Sequence, residues 1–187
     1  MRAVAGVLVL VVLIGGCLFD PREPEGEPGA ACFEVVPAPT DPLEVIFNMD
    51  GSVECFQGFD YLRQLSNEFV FIPAPSVQIN HPDLFPTEDA WGKNQEEAYI
   101  NALLADSSQE LDSRLLLRVI ERSGTTEVLI EAEYLLTISA GTSQFVYTGE
   151  AFYAFRQENT VWVMVRWEEK ESDNPLGALK AELVGGR

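Results

Sequence analysis

The spacing of hydrophobic residues changes from helical to alternating at about residue 109. Before that point, apolar side chains recur every three or four residues in three stretches, which predicts three helices. The first begins at Thr40 or Asp41, either of which can cap it, with Pro42 in its first turn and Leu43, Ile46, Phe47, Val53 and Phe56 at roughly helical spacing. The second helix is predicted over Phe59–Leu65 and the third over Asn94–Leu104.

Between the second and third helices the sequence predicts one strand and one long loop. Residues 68–72 form an apolar run, and Pro73 and Pro75 end it. Residues 76–90 are punctuated by further prolines and are predicted to be a loop.

After residue 109, apolar and polar residues alternate, which predicts strands with one face in the core and the other toward water. Three such stretches lie near residues 111–119, 127–138 and 144–156, and the fourth, residues 161–167, is apolar on both faces. A strand that is apolar on both faces either lies in the middle of a sheet or is covered on its second side. Because short turn-like segments connect the four stretches, we predict an antiparallel meander. Helices followed by a meander define an α+β fold class.

The amino terminus carries the pattern of a secretory signal. Residues 3–16 are uncharged, almost wholly apolar, and end in two glycines before Cys17. A helix of about 14 residues is roughly 21 Å long, too short for the roughly 30 Å hydrocarbon core of a bilayer. We therefore expect a cleaved signal peptide over residues 1–16.

The run Ile14-Gly15-Gly16-Cys17 resembles the lipobox of bacterial lipoproteins. The resemblance implies that Cys17 carries fatty acyl chains such as palmitate, and that these anchor the protein to a membrane of the bacterial cell envelope. The uncharged Leu18 favours the outer membrane in a cell that has one. The alternative is an ordinary signal peptide that contains a cysteine.

Residues 17–39 are rich in proline and acid and are expected to be a disordered tether, and residues 40–187 are expected to form one domain.

The charge of the chain excludes several classes of partner. Removal of residues 1–16 leaves 11 basic and 30 acidic residues, a formal charge of -19. Nucleic acid and anionic lipid head groups would be repelled.

No loop has the Asp, Asn and Gly spacing of a calcium site, and the single histidine, His81, with few thiols argues against zinc. We expect no cofactor and no metal. Cys32 and Cys55 would either pair in an oxidising compartment or remain two buried thiols.

Three strings resemble the nuclear transport factor 2-like superfamily, a cone-shaped fold shared with SnoaL-like cyclases and ketosteroid isomerase. They are residues 59–71 (FDYLRQLSNEFVF), 162–167 (WVMVRW) and 176–180 (LGALK), and they look most like bacterial lipoproteins with this fold. Those proteins commonly have a tryptophan where Leu176 stands here. The resemblance implies N-terminal helices packed on a curved antiparallel sheet, with a pocket between them.

Inward aromatic residues are the candidate lining of that pocket. They are Tyr61, Trp91, Tyr134, Tyr147, Tyr153 and Trp167. Together they could bind a small apolar ligand, or they could simply be core. On the opposite sheet face, Phe152, Trp162 and Met164 are predicted to form an apolar patch, which would suit a homodimer or be covered by the C-terminal segment.

The alternative to a binding domain is a small SnoaL-like enzyme acting on an apolar metabolite. Isomerase chemistry of the ketosteroid kind needs acids inside the cavity, and the inward positions here are aliphatic or aromatic. His81, with Asp83, Glu88 and Asp89 nearby in sequence, is a conceivable base or a solvated loop histidine. The sequence therefore favours a membrane-tethered domain that binds a small apolar ligand or a protein partner without catalysis.

Overall fold

The computed structural model describes residue 32 and residues 36–87, 89–123 and 126–186, without the side chains of residues 115 and 117–123. The predicted signal peptide, Cys17 and most of the predicted tether lie outside the described residues. The secondary-structure elements, in order along the chain, are α1 (Pro42–Glu54), α2 (Gly58–Arg63), β1 (Leu65–Ile72), α3 (Pro75–Asn80), β2 (Trp91–Gly92), α4 (Lys93–Leu103), β3 (Glu110–Ser123), β4 (Glu127–Ala140), β5 (Ser143–Glu158), β6 (Val161–Glu169) and α5 (Leu176–Gly185).

The described strands form one curved, open sheet in the order β2-β1-β6-β5-β4-β3. Strands β3 to β6 pair antiparallel in sequence order, and β1 joins β6 in parallel. The α+β class and the meander are thus confirmed. Strand β6 lies between β1 and β5, which is the first of the two positions that its apolar residues on both faces predicted.

Helix α1 begins where the local sequence predicts. The Asp41 Oδ1 atom accepts a hydrogen bond from the Leu43 N–H at 2.9 Å, so Asp41 is the cap, while Thr40 donates to Glu44. The buried side of α1 carries Val45, Ile46, Met49 and Val53. Phe47, which was named with the apolar residues at helical spacing, lies on the other side of the helix and is 65% exposed.

The predicted loop over residues 76–90 is only partly a loop. Pro75 supplies the first turn of α3, and Val77 is the residue of this short helix that is buried. Trp91 and Gly92 then pair with Phe71 and Val70 as a two-residue edge strand. A helix with one buried side chain is too short to produce a visible periodicity, which is why the sequence gives no indication of it.

A bulge in β6 reverses the alternation of its side chains. Phe155 pairs with Met164 while Ala154 pairs with Arg166, so Val165 is an extra residue. The bulge therefore places side chains from both halves of the strand on the same buried face. They are Trp162 and Met164 before it and Trp167 and Glu169 after it. The prediction that Trp162 and Met164 lie in an exposed patch on the outer sheet face is wrong for this reason.

Two further features complete the domain. Cys32 and Cys55 form a disulfide that ties residue 32 to the end of α1, with 5.4 Å between the Cα atoms. Helix α5 follows β6, and its apolar residues occur on all sides, so no helical periodicity marks it in the sequence.

None of the helices among the described residues is both long and apolar enough to cross a membrane.

Candidate ligand cavity and buried charge cluster

A cavity of about 40 Å³ lies between the concave face of the sheet and helices α1, α2 and α4. Its wall is mostly apolar and includes Met49, Val53, Leu103, Met164 and Leu176. Ligand-binding pockets for drug-sized molecules are usually about 300–1,000 Å³. The space therefore admits a few atoms and no larger body unless the wall moves.

Four of the six aromatic residues named as candidate lining face this cavity, namely Tyr61, Tyr134, Tyr153 and Trp167. Trp91 lies elsewhere in the core, stacked on Phe85 with ring centroids 5.2 Å apart. Tyr147 is half-buried and belongs to a part of β5 away from the cavity wall.

Tyr153 and Trp167 line the cavity, and each has a buried polar atom without a hydrogen-bond partner among the described residues, the Tyr153 hydroxyl and the Trp167 indole Nε1. Tyr153 has no exposed surface and Trp167 is 6% exposed. Their ring centroids are 5.2 Å apart. Burial raises the pKa of Tyr153 well above its usual value, so the hydroxyl stays protonated and remains a donor. Two residues of the cavity wall thus carry a buried, unpartnered hydrogen-bond donor, and a movement of the wall would be needed to expose either donor to the cavity.

Polar residues mark the rim of the cavity. The Ser113 hydroxyl on β3 donates to the Asp50 carboxylate on α1 at 2.7 Å. Arg114 beside it is exposed and pairs with Asp112. Asp50, Ser113 and Arg114 therefore form the polar edge of the cavity, at the side where α1 crosses β3.

The centre of the domain holds a fully buried ion pair. Lys180 on α5 donates to both carboxylate oxygens of Glu96 on α4, and neither side chain has exposed surface. Glu96 also accepts from the Tyr61 hydroxyl at 2.6 Å and from the Trp91 indole at 2.8 Å. The carboxylate is therefore fully satisfied by four hydrogen bonds.

Aromatic rings surround the lysine. The Lys180 Nζ atom lies 4.3 Å from the ring centroid of Phe71, 4.4 Å from that of Tyr99 and 4.7 Å from that of Trp167. These distances favour cation–π attraction, although burial lowers the pKa of Lys180. The pair is not evident from the sequence, because Glu96 and Lys180 are 84 residues apart and each occurs on a helix where a charge normally faces water.

A second buried carboxylate, Glu169 at the end of β6, lies under the start of α5. It accepts hydrogen bonds from the Tyr134 hydroxyl at 2.8 Å, from the Gly177 N–H at 3.1 Å and from the Ala74 N–H at 3.3 Å. The Leu176 N–H donates in turn to the Tyr134 oxygen at 3.1 Å. Burial raises the pKa of Glu169 to about 7, and these donors together with Lys180 limit the rise.

Glycines make room for this carboxylate and its tyrosine. A Cβ atom at Gly177 would lie 2.6 Å from a Glu169 oxygen, and one at Gly149 would lie 2.5 Å from the Tyr134 oxygen. The string 176–180 therefore contains a glycine for a steric reason and a lysine for an electrostatic one.

His81 is not at the cavity. It ends α3 and faces an open surface groove with Asp83 and, from α5, Ala178 and Glu182. Asp89 accepts from the Thr87 hydroxyl, and Glu88 lies outside the described residues. In the part of the chain that the structure describes, no three His, Cys, Asp or Glu residues are placed to hold a metal ion.

The outer face of the sheet is charged where an apolar patch was predicted. Phe152 is half-buried there, with the Lys170 ammonium 4.6 Å from its ring centroid. Lys170 also pairs with Glu131 and Glu150. Of the three residues predicted to form the patch, Phe152 is therefore the one on this face, and charged side chains cover part of it.

Comparison with known proteins identifies the fold. No protein-family model matches the sequence, and no curated protein matches it. Among solved structures, a proposed scytalone dehydratase from Novosphingobium aromaticivorans is similar with a TM-score of 0.56 at 12% identity, over 72% of this chain and 90% of that one. A proposed calcium/calmodulin-dependent protein kinase type II association domain from Thiobacillus denitrificans has a TM-score of 0.54 at 14% identity, over 73% of this chain and 99% of that one.

A protein of unknown function from Mycobacterium tuberculosis is similar as well, with a TM-score of 0.55 at 10% identity, over 76% of this chain and 89% of that one. Likenesses at such identities show the fold alone. The chain has the cone-shaped nuclear transport factor 2-like fold, which confirms the fold that the sequence predicted.

Proposed function

We propose that this chain is a lipid-anchored envelope protein whose cone-fold domain binds a small ligand in the central cavity. The observation that supports binding is the pair of buried, unpartnered donors, the Tyr153 hydroxyl and the Trp167 Nε1. Buried polar groups are nearly always hydrogen-bonded, and an unpaired one costs about 1–3 kcal/mol. A ligand with an acceptor group would remove that cost.

The lining restricts the chemistry of the ligand. Two neutral donors in an apolar wall suit a carbonyl, ether or hydroxyl oxygen attached to an apolar body. The cavity of about 40 Å³ holds only the acceptor end of such a molecule. The remainder would lie toward the rim at Asp50, Ser113 and Arg114 or displace part of the wall.

The anchor rests on the sequence. The apolar run ending at Cys17 supports lipid attachment, and the acidic, proline-rich residues that follow would hold the domain away from the bilayer surface. A membrane-bound position suits a domain that takes an apolar molecule from, or delivers it to, its surroundings.

Native mass spectrometry of the full chain, released gently from membranes in detergent, tests ligand binding. We expect a mass increment above that of the lipidated chain, and we expect Tyr153→Phe to reduce the fraction of protein that carries it. Tyr147→Phe is the matched control, since it also removes one tyrosine hydroxyl but lies away from the cavity wall. A wild-type chain without any increment, or equal occupancy in wild type and Tyr153→Phe, would contradict the proposal.

The geometry gives less support to the enzyme alternative. The described residues that line the cavity place one carboxylate there, Asp50, and Ser113 on the rim donates to it. The two deeply buried acids, Glu96 and Glu169, are occupied by hydrogen bonds within the domain. A homodimer or another protein partner on the outer sheet face remains a prediction, for which the paired charges around Phe152 offer polar contacts.

A further inference from the structure

The disulfide fixes the point at which the predicted tether, residues 17–39, meets the domain. Cys32 is bonded to Cys55, the residue that caps the carboxyl end of α1. Beyond it, Val36 is buried, and the Pro37 oxygen accepts a hydrogen bond from the Asn48 side-chain amide at 3.1 Å. The tether from Val36 onward is therefore held against the domain, and the part before Cys32 is attached at the end of α1.

The sequence between Cys17 and this attachment point is short. Fourteen residues, 18–31, separate Cys17 from Cys32. A coil of that length spans about 20 Å, and a fully extended chain spans at most about 50 Å. A domain of about 150 residues is about 40 Å across, so turning its far side toward the bilayer would require a stretched tether. With Cys17 lipidated, the end of α1 is therefore the part of the domain that lies nearest the bilayer.

Two exposed phenylalanines lie near this attachment point. Phe59, in the first turn of α2, follows Cys55 by four residues and is 76% exposed. The connection between them is fixed, since the Gln57 N–H donates to the Ser52 oxygen at 2.8 Å. Phe47, 65% exposed, precedes Cys55 by eight residues. At 1.5 Å and 100° per residue, this separation is about 12 Å along α1 and about 80° around it.

The polar groups beside Phe59 suit a zwitterionic lipid surface. The Arg63 guanidinium carbon lies 6.0 Å from the centroid of the Phe59 ring, and its Nη1 donates to Asp60 at 3.0 Å. The charge of Asp60 is thus balanced by Arg63, a side chain that can also bind a lipid phosphate. An apolar ring gains free energy on leaving water, and a cation beside it is typical of side chains at a membrane interface.

We propose that the surface formed by Phe47, Phe59 and Arg63 is the membrane-contacting face of the domain, docked on the zwitterionic lipid surface that holds Cys17. This proposal rests on the proposed lipid anchor. The tether keeps the face close to the bilayer, so two rings suffice for contact although their own affinity is weak. The polar rim of the cavity at Asp50 lies on the same helix as Phe47, so the docked domain holds that rim near the lipid.

Quenching of tryptophan fluorescence by brominated lipid tests the proposal on the full lipidated chain. Phe59→Trp places a fluorophore on the proposed face. Ile79→Trp is the matched control, because Ile79 is 77% exposed and lies on α3, at the other end of β1 from α2. The eight residues of β1 separate the two helices by about 26 Å. The three native tryptophans are at most 6% exposed, and the wild-type chain gives their background.

Each protein is reconstituted in phosphatidylcholine vesicles with and without dibrominated phosphatidylcholine. We expect brominated lipid to quench the emission that Phe59→Trp adds to that of the wild type. The emission that Ile79→Trp adds should be retained. Flotation of the vesicles and intact-mass measurement of the same samples show whether the chain is anchored.

The outcomes separate this proposal from the anchor on which it rests. Chains that float with the vesicles and show no difference between the two variants would overturn the docking face and leave the anchor intact. Chains that lack acyl mass and do not float would overturn the anchor and the docking face together.

Discussion

Lys180 and Glu96 meet at the centre of the domain, with both side chains excluded from solvent and the lysine ammonium bonded to both carboxylate oxygens. Helix α5 is thereby attached to α4 in the core of the cone. The two charged side chains and the aromatic rings around them therefore fill part of the interior of the cone. What remains is the small cavity beside Tyr153 and Trp167.

Removing the lysine charge should strongly destabilise the domain. Lys180→Met leaves Glu96 buried without its cation, and we expect a loss of about 3–5 kcal/mol in the free energy of unfolding. Urea denaturation measures it. Adding Glu96→Gln to that variant should recover part of the loss, since the Tyr61 and Trp91 donors then meet a neutral acceptor.

Arg166→Met, which breaks the exposed pair with Glu168, is the matched control and should cost less than about 1 kcal/mol. Equal effects in the two single variants would contradict this description of the pair.

Stability should fall as pH rises from about 4.5 to 7. Glu169 has a pKa of about 7 in the folded protein and an ordinary value of 4.5. In this interval the folded protein therefore keeps a proton that the unfolded chain releases. The contribution of this group reaches on the order of 3 kcal/mol. It should appear as the difference between wild type and Glu169→Gln in urea denaturation at a series of pH values. A difference that does not vary with pH would show that Glu169 titrates normally.

Two glycines should respond oppositely to replacement by alanine. At Gly149 the added methyl group would displace the Tyr134 hydroxyl from Glu169, and we expect a loss of about 1–3 kcal/mol. At Gly51, inside α1, a Cβ atom meets nothing within 4 Å, and the helix should gain about 0.5–1 kcal/mol. Thermal unfolding of Gly149→Ala and Gly51→Ala compares them directly. A Gly149→Ala variant as stable as wild type would mean that Tyr134 moves away from Gly149 without cost.

The sequence predicted the fold more completely than the site. Alternation over residues 109–169 predicted the strands with one wet face, and the short turns between the four stretches predicted their order in the sheet. The single extra residue Val165 could not be foreseen, since it changes the phase of β6 without changing its composition. Trp162 and Met164 were consequently assigned to the wrong face.

The site depends on contacts that sequence patterns do not contain. Tyr61, Tyr134, Tyr153 and Trp167 were predicted to line a cavity because they occupy inward positions, and the structure places them there. Glu96, Glu169 and Lys180 were not predicted, because a buried charge is recognisable only when its partner from a distant segment is known. Lys180 meets Glu96 across 84 residues of sequence.

Lipid attachment at Cys17 is testable separately from the fold. Cys17→Ser should shift the protein from the membrane fraction to the soluble fraction, or leave it with its signal peptide attached, because the thiol that would be acylated is absent. Fractionation followed by intact-mass measurement distinguishes these outcomes. An unchanged mass and unchanged membrane fractionation would refute the anchor and leave the domain assignment intact.

The central claim is that the buried Tyr153 hydroxyl is kept for a ligand rather than for the fold. Its most direct test is the free energy of unfolding of Tyr153→Phe relative to wild type, with both proteins stripped of small molecules by refolding from urea. The account predicts that Tyr153→Phe is more stable by about 1 kcal/mol, because the substitution removes an unpaired buried donor. A less stable Tyr153→Phe would show that the hydroxyl makes a hydrogen bond needed for folding, and would contradict the claim.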